Sequence, residues 1–407
     1  MLVVTANWGL ADGTLVPSSG RQQADFLAAV QRAACRAGSR ADGRYEPIDR
    51  LDLVLAGDTF DALTSTAWTD SLRPWQASAR AADTAARVLV AAAIRGRRLL
   101  AGLAAWARRG LDVPAADRRG RPIRDRSRRV PARVVILPGD RDSWLAAAAG
   151  RLARRGVRAA GAWAAGGVAV CHGAEFDPLW NGGPAVEGGQ PTLGASLVVD
   201  LLARFGAEMR GRPGLWPVCR SLVGLLAAAQ PASWPLVVGD WLAANGRDAA
   251  PVRPLWRAAV AGWRRQARRV PPACDAGCDV IDAVAAWMEG TEREPLRSDA
   301  GGELVGLLDP GPPRVAAAGT VVLGHWAVPA EPPGMVGLGP AAWRPAADEA
   351  VAGVTLAGDA AARWRRGAAH VVFPDPERPA VRWRLLAEDH PPAWPRAAAV
   401  HRVVEAA

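Results

Sequence analysis

Short apolar runs, each closed by glycine or a polar residue, punctuate the chain at Leu2–Thr5, Leu51–Ala56, Val134–Leu137, Val168–Cys171 and Thr320–Leu323. Runs this brief predict buried strands. Two more β-rich runs, His370–Phe373 and Ala380–Leu385, lie towards the C-terminus. Between the strands run alanine- and arginine-rich stretches of helical character, such as Gln22–Arg36 and Ala79–Arg109. Strands separated by helices predict an α/β or layered α+β fold.

Two segments interrupt that alternation. Residues from about 110 to 132 include Asp117-Arg-Arg-Gly-Arg-Pro-Ile-Arg-Asp-Arg-Ser-Arg-Arg, which reads as a solvated basic loop. Residues from about 178 to 315 carry Trp180, Trp216, Trp234, Trp241, Trp256, Trp263 and Trp287 among helical stretches and proline breaks. That length suits a helical cap over a site built by the flanking strands. Its tryptophans would suit an apolar substrate tail, but core packing is the simpler expectation. No internal repeat is visible.

The 407 residues are enough for one large domain with insertions or two ordinary ones. Half are apolar and 22% are charged, which excludes a disordered or fibrous chain. All 50 basic residues are arginine, and 18 tryptophans stand beside a single tyrosine. Such usage points to coding bias from a GC-rich genome, and it weakens any inference from the net charge of +10 to a polyanionic partner. Nucleic-acid binding through the arginine-rich loop rests on charge alone, and no specific nucleic acid is expected. The five cysteines are too scattered for a disulfide scaffold, and Cys274 with Cys278 lacks the second pair of a zinc site. The N-terminal run has no basic flank and is too short for a signal peptide. The richest apolar stretch, Ala85 to Arg109, is broken by Arg95, Arg97 and Arg98, so no membrane span is expected and the chain reads as cytoplasmic.

With only five histidines, their positions are informative. His172 and His325 follow apolar runs directly, where α/β folds build their sites. Asp58 follows Leu-Val-Leu-Ala-Gly and Asp140 follows Val-Ile-Leu-Pro-Gly. Singly, such an aspartate caps a turn and such a histidine packs in a core. Together the four make a candidate metal constellation. Glu175 and Asp177 read as turn or cap residues, and His370, His390 and His401 as structural.

The spacing and order of these segments resemble the calcineurin-like metallophosphoesterase superfamily, whose motifs run D-x-H, G-D-x-x-D, G-N-H-[DE], a histidine before glycine, and G-H-x-H. Gly57-Asp58-Thr59-Phe60-Asp61 matches the second motif, and Gly139-Asp140-Arg141-Asp142 is a degenerate third. His172-Gly173 matches the fourth, and Gly324-His325-Trp326-Ala327 is half of the fifth. The first motif falls at Thr5-Ala6-Asn7-Trp8, without its Asp and His. The branch most resembled includes UDP-2,3-diacylglucosamine hydrolases.

The resemblance implies a four-layer α/β/β/α sandwich over residues 1–177 and 316–407, with 178–315 as the helical, tryptophan-rich insertion. It also implies which metal survives. One of the family's two ions would keep only Asp58, because Ala6, Trp8 and Ala327 stand where its other ligands belong. The other retains Asp58, Asp140, His172 and His325, all able to ligate Mn, Zn, Fe or Ni. One divalent ion with two aspartates is near neutral, so attraction for phosphate must come from elsewhere. Arg141 stands where the family has a histidine; it is no general acid, but its fork could clamp a phosphate. Asp61 is expected to orient a ligand or cap the following helix. The implied function is metal-dependent phosphoester hydrolysis from a reduced, mononuclear site, acting on a phosphorylated small molecule or lipid precursor. The competing class is a catalytically inactive binding or scaffold protein.

Overall fold

The computed structural model describes residues 1–16, 20–40, 42–68, 72–146, 149–165, 168–174, 179–180, 191–229, 231, 234–269 and 277–290, with strand segments at 320–323, 335–337, 370–373 and 383–385. The fold is mixed α/β, with parallel and antiparallel strands. From the N-terminus come β1 (Leu2–Thr5), α1 (Gly20–Ala37), β2 (Leu51–Ala56), α2 (Ala79–Arg95) and α3 (Arg97–Arg109). A hairpin of β3 (Leu111–Ala116) and β4 (Pro122–Val130) leads into β5 (Ala132–Leu137) and a short α4 (Ala149–Ala153). Three short strands follow: β6 (Val157–Ala159), β7 (Trp163–Ala165) and β8 (Val168–Cys171). Helices α5 (Leu193–Ser196), α6 (Arg204–Arg210), α7 (Trp216–Ala228), α8 (Trp234–Asn245), α9 (Val252–Arg269) and α10 (Gly277–Glu289) then precede β9 (Thr320–Leu323), β10 (Met335–Gly337), β11 (His370–Phe373) and β12 (Trp383–Leu385).

Six strands form one sheet in the order β12-β11-β1-β2-β5-β6, and four form a second in the order β10-β9-β8-β7. β1, β2, β5 and β6 pair in parallel, while β11 joins β1 antiparallel. Period-two alternation sorts the central strands by face. Val3, Leu51, Leu53, Leu55, Val134 and Ile136 share an apolar cluster with Phe26, Val30, Leu99 and Leu103 of the helices. Leu2, Val4, Val54, Ala56, Val135 and Leu137 share another with Trp163, Val168 and Val170 of the second sheet. Buried on both sides, these strands need continuous apolar runs, which is why the sequence showed them so clearly.

The Ala79–Arg109 stretch is two helices with a break at Gly96, whose N–H still reaches the Ala92 carbonyl. A side chain at 96 would strike Leu10 at 2.5 Å. The basic segment expected to be a solvated loop is instead an antiparallel hairpin, with Leu111 opposite Val130 and Val113 opposite Arg128. Leu111, Val113 and Val130 are buried in the helix-side core, which holds its base. Its tip is an Asx turn in which Asp117 accepts the N–H groups of Arg119 and Arg121.

Helices α5 to α10 share a core with Trp68, Trp234, Trp241, Trp256 and Trp263, all fully buried. Each indole N–H is satisfied: by the Ala62, Leu226 and Met288 carbonyls for Trp68, Trp234 and Trp256, and by Ser221 and Ser196 hydroxyls for Trp241 and Trp263. These tryptophans are packing, not a lining for a ligand tail. A π-helical stretch, Leu197–Ala203, joins α5 to α6 and carries Asp200, which pairs with Arg73 at 2.6 Å in the buried interior. Among the described residues no helix is long and apolar enough to cross a membrane.

Candidate metal centre

β1, β2 and β5 are parallel neighbours, so their C-terminal ends share one edge of the large sheet. The loops there carry Ala6 to Trp8, Gly57 to Asp61, and Gly139 to Asp142. β8 brings His172 to the same edge from the second sheet. Asp58, Asp140 and His172 come together there, with ligand atoms within 4.8 Å of one another. His172 Nε2 lies 2.5 Å from Asp140 Oδ1 and 3.8 Å from Asp58 Oδ1. The fourth expected ligand, His325, lies outside the described residues, as does Ala327.

Backbone conformation explains the glycines. Gly57 has φ +93°, and a Cβ there would sit 1.9 Å from His172 Nδ1. Asp58 itself has φ +48°, a left-handed conformation that aspartate tolerates better than most residues. At Gly139 a Cβ would meet Asp58 Oδ1 at 2.2 Å. Both glycines exist so that a ligand side chain can lie against bare backbone.

The imidazole is oriented by a second contact. His172 Nδ1 lies 3.0 Å from the Ala56 carbonyl, an acceptor only, so Nδ1 carries the proton and donates it. Nε2 then faces the two carboxylates, the arrangement metal-ligating histidines adopt. Asp58 Oδ1 accepts the Arg141 N–H at 3.0 Å. Oxygen and imidazole donors of this kind suit a divalent cation, so this buried group could hold a metal ion.

Asp142 and Asp61 brace the loops from behind. Asp142 is fully buried and accepts the N–H groups of Phe60 at 2.9 Å and Gly139 at 2.6 Å. Burial, reinforced by the charge of Asp58, pushes its carboxyl up to about 8. Asp61 accepts both the N–H and the hydroxyl of Thr64, capping the turn that follows, and pairs with Arg141 Nη1 at 3.0 Å.

Arg141 has other partners than the phosphate expected of it. The side chain is 8% exposed. Nη1 is shared between Asp61 and the Ala227 carbonyl at 3.1 Å, and Nη2 lies 3.5 Å from the Ala229 carbonyl. It therefore caps the C-terminal end of α7, where the helix presents unsatisfied carbonyls. Burial opposes its charge, but Asp61, Asp58 and Asp140 outweigh that and raise its pKa.

At the end of β1 the residues expected to align with the first motif, Ala6 and Trp8, are apolar and buried. Ala6 is buried between the sheets. Trp8 stacks edge-on against Phe26 at 4.9 Å and donates its indole N–H to Thr5 Oγ1. Asn7, with φ +56°, is held by its N–H to the Gly57 carbonyl. Sequence reasoning gave Asp142, Thr64 and the α7 carbonyls no role. The sign of Asp142 in the sequence is its place as the acid that ends the degenerate third motif, Gly139-Asp140-Arg141-Asp142. Comparison with known proteins finds no family model that matches the chain, no curated protein and no solved structure.

Proposed function

We propose that the chain is a metallophosphoesterase-like protein, a metal-dependent phosphoester hydrolase working from a reduced, mononuclear site within a four-layer α/β/β/α sandwich. The observation that carries this reading is the oriented imidazole: His172 gives its Nδ1 proton to Ala56 and turns Nε2 towards Asp58 and Asp140. Those three residues would hold one Mn, Zn, Fe or Ni ion, with His325 as the fourth ligand that the resemblance implies. Such an ion would supply a Lewis acid for a phosphoryl oxygen. The chain's own residues fix the ligands: Ala56 the imidazole, the Arg141 N–H the Asp58 carboxylate, and Asp142 the two loops that carry both aspartates. The substrate class is a phosphorylated small molecule or lipid precursor.

A second reading, a binding or scaffold protein without turnover, is favoured by Trp8 and Arg141. Trp8 fills a position of the lost metal with core packing, and the Arg141 guanidinium is engaged within the protein. Elemental analysis of wild type, His172→Ala and His370→Ala, with phosphodiester and phosphomonoester screens in Mn, Ni and Zn, tests both. About one ion per chain is expected in wild type and His370→Ala, with loss in His172→Ala. Equal metal content in wild type and His172→Ala refutes the site. One ion without turnover on any ester selects the scaffold reading.

A further inference from the structure

Charge is not spread evenly over this chain. Residues 108–133 hold ten arginines (Arg108, Arg109, Arg118, Arg119, Arg121, Arg124, Arg126, Arg128, Arg129 and Arg133) and three aspartates, a net of +7, against +10 for all 407 residues. The remainder of the chain is nearly balanced. Coding bias that puts arginine in place of lysine would raise arginine everywhere and leave that local excess unexplained.

The fold gathers this excess at one pole. The β3–β4 hairpin feeds β5 at its N-terminal end, while Asp140 follows its C-terminal end. At about 3.3 Å per residue, the hairpin base and the metal cluster are about 20 Å apart. The hairpin tip leans on the loop before β2: the Tyr45 N–H donates to the Gly120 carbonyl at 2.6 Å, and the Gly120 position abuts Arg44. Arg108 and Arg109 at the end of α3 and Arg133 at the start of β5 are exposed beside it. Some of the charge is locally matched, as in Arg129 with Asp112 at 3.4 Å and Arg44 with Asp42 at 3.9 Å. Arg118, Arg119, Arg121, Arg126 and Arg128 are exposed and make no ion pair among the described residues. Asp117, the nearest acid at the tip, is turned onto backbone N–H groups.

We propose that this pole binds double-stranded nucleic acid through its phosphates, without reading sequence. Arginine forks suit phosphate oxygens, and a duplex offers one negative charge per about 1.7 Å of axis. Two alternatives fit the surface less well. Among the described residues the exposed large apolar side chains are Val90 and Ile94, both on α2, so the hairpin has no apolar wedge for a lipid surface. Nor does it present an exposed aromatic on which the bases of a single strand could stack. The inference does not depend on the metal centre, which lies at the other end of the strands.

The test is fluorescence anisotropy with a labelled 20-base-pair DNA duplex of arbitrary sequence, titrated with the full chain across a KCl series. Five phosphate contacts predict a log–log salt slope near −4.5, at about −0.9 per contact. Arg118→Gln/Arg119→Gln/Arg121→Gln should flatten the slope by about 2.7, and Arg126→Ser/Arg128→Ser by about 1.8, on the same scale. Arg253→Gln/Arg257→Gln/Arg265→Gln, which removes three exposed charges from α9, should leave the slope unchanged. Equal flattening by the α9 variant and the tip variant overturns the proposal, because net charge alone would then explain binding. Failure to bind the duplex overturns it too, as does tighter binding to phosphatidylserine vesicles than to the duplex.

Discussion

Gly57→Ala places a single methyl group where the candidate metal centre has no room for it. Residue 57 has φ +93°, and the new Cβ would sit 1.9 Å from His172 Nδ1, 2.5 Å from Cγ and 2.7 Å from Cε1. An L-residue in such a conformation costs about 1–2 kcal/mol before any clash. Real Cβ contacts stay above 3.0 Å, so the ring must retreat by at least ~1 Å in a close-packed interior. That movement breaks the 3.0 Å bond to the Ala56 carbonyl, worth about 1 kcal/mol. The expected loss is therefore about 2–3 kcal/mol of folding stability, measured by urea unfolding at neutral pH. Losing the contact that orients a ligating histidine should also weaken metal affinity about 10–100-fold, read by calorimetric titration of Zn or Mn into folded protein. Gly224→Ala is the matched control. It lies inside α7 with no atom within 4 Å of the new methyl, and it should stabilise by about 0.5–1 kcal/mol. If Gly57→Ala binds metal as wild type does and unfolds within about 0.5 kcal/mol of it, close packing of His172 on bare backbone is not what sets this site.

Two further expectations concern buried charge. Arg141→Met leaves Asp61 buried without its cation and Ala227 without its donor, so a loss of about 3–5 kcal/mol is expected, with faster amide exchange at the end of α7; unchanged exchange there would refute the coupling. Burial pushes Asp200 up to about 6 despite Arg73, so the native state holds a proton that the unfolded chain releases near pH 3.9. Stability from this group is fully present below about pH 4 and is lost as pH rises through about 6, a slope of up to ~1.4 kcal/mol per pH unit that urea unfolding should show flattened in Asp200→Asn.

What the sequence reveals depends on how local the physics is. β1, β2, β5 and β8 are visible because most of their residues are buried and apolar, with Asp52 and Arg133 as the charged exceptions. Asp58, Asp140 and His172 are visible because each directly follows such a strand, where a parallel sheet collects its loops. The hairpin is hidden because β4 carries charge on both faces and is anchored only near Val130, so no period of two appears. The role of Arg141 is hidden for another reason. Its partners Asp61, Ala227 and Ala229 lie 80, 86 and 88 residues away, and two of them are carbonyls that any sequence would supply. The close approach of Leu10 to Gly96 is likewise something no helical periodicity reports.

Arg141 shows how one side chain can balance buried charge and fasten a helix end at once. A site with one divalent ion and two aspartates is close to neutral, yet Asp61 and Asp142 add two more buried acids beside it. Asp142 meets that problem through its backbone N–H bonds and a carboxyl pushed up to about 8. Asp61 instead takes a permanent cation, and a guanidinium is the side chain that stays charged when buried. Five N–H donors then exceed what one carboxylate can accept, and the surplus is directed at the α7 carbonyls. The residue that balances charge at the loop thus also fastens the helices above it. A phosphate that took Nη1 would have to displace Asp61 or the Ala227 carbonyl, which would link ligand binding to movement of the end of α7.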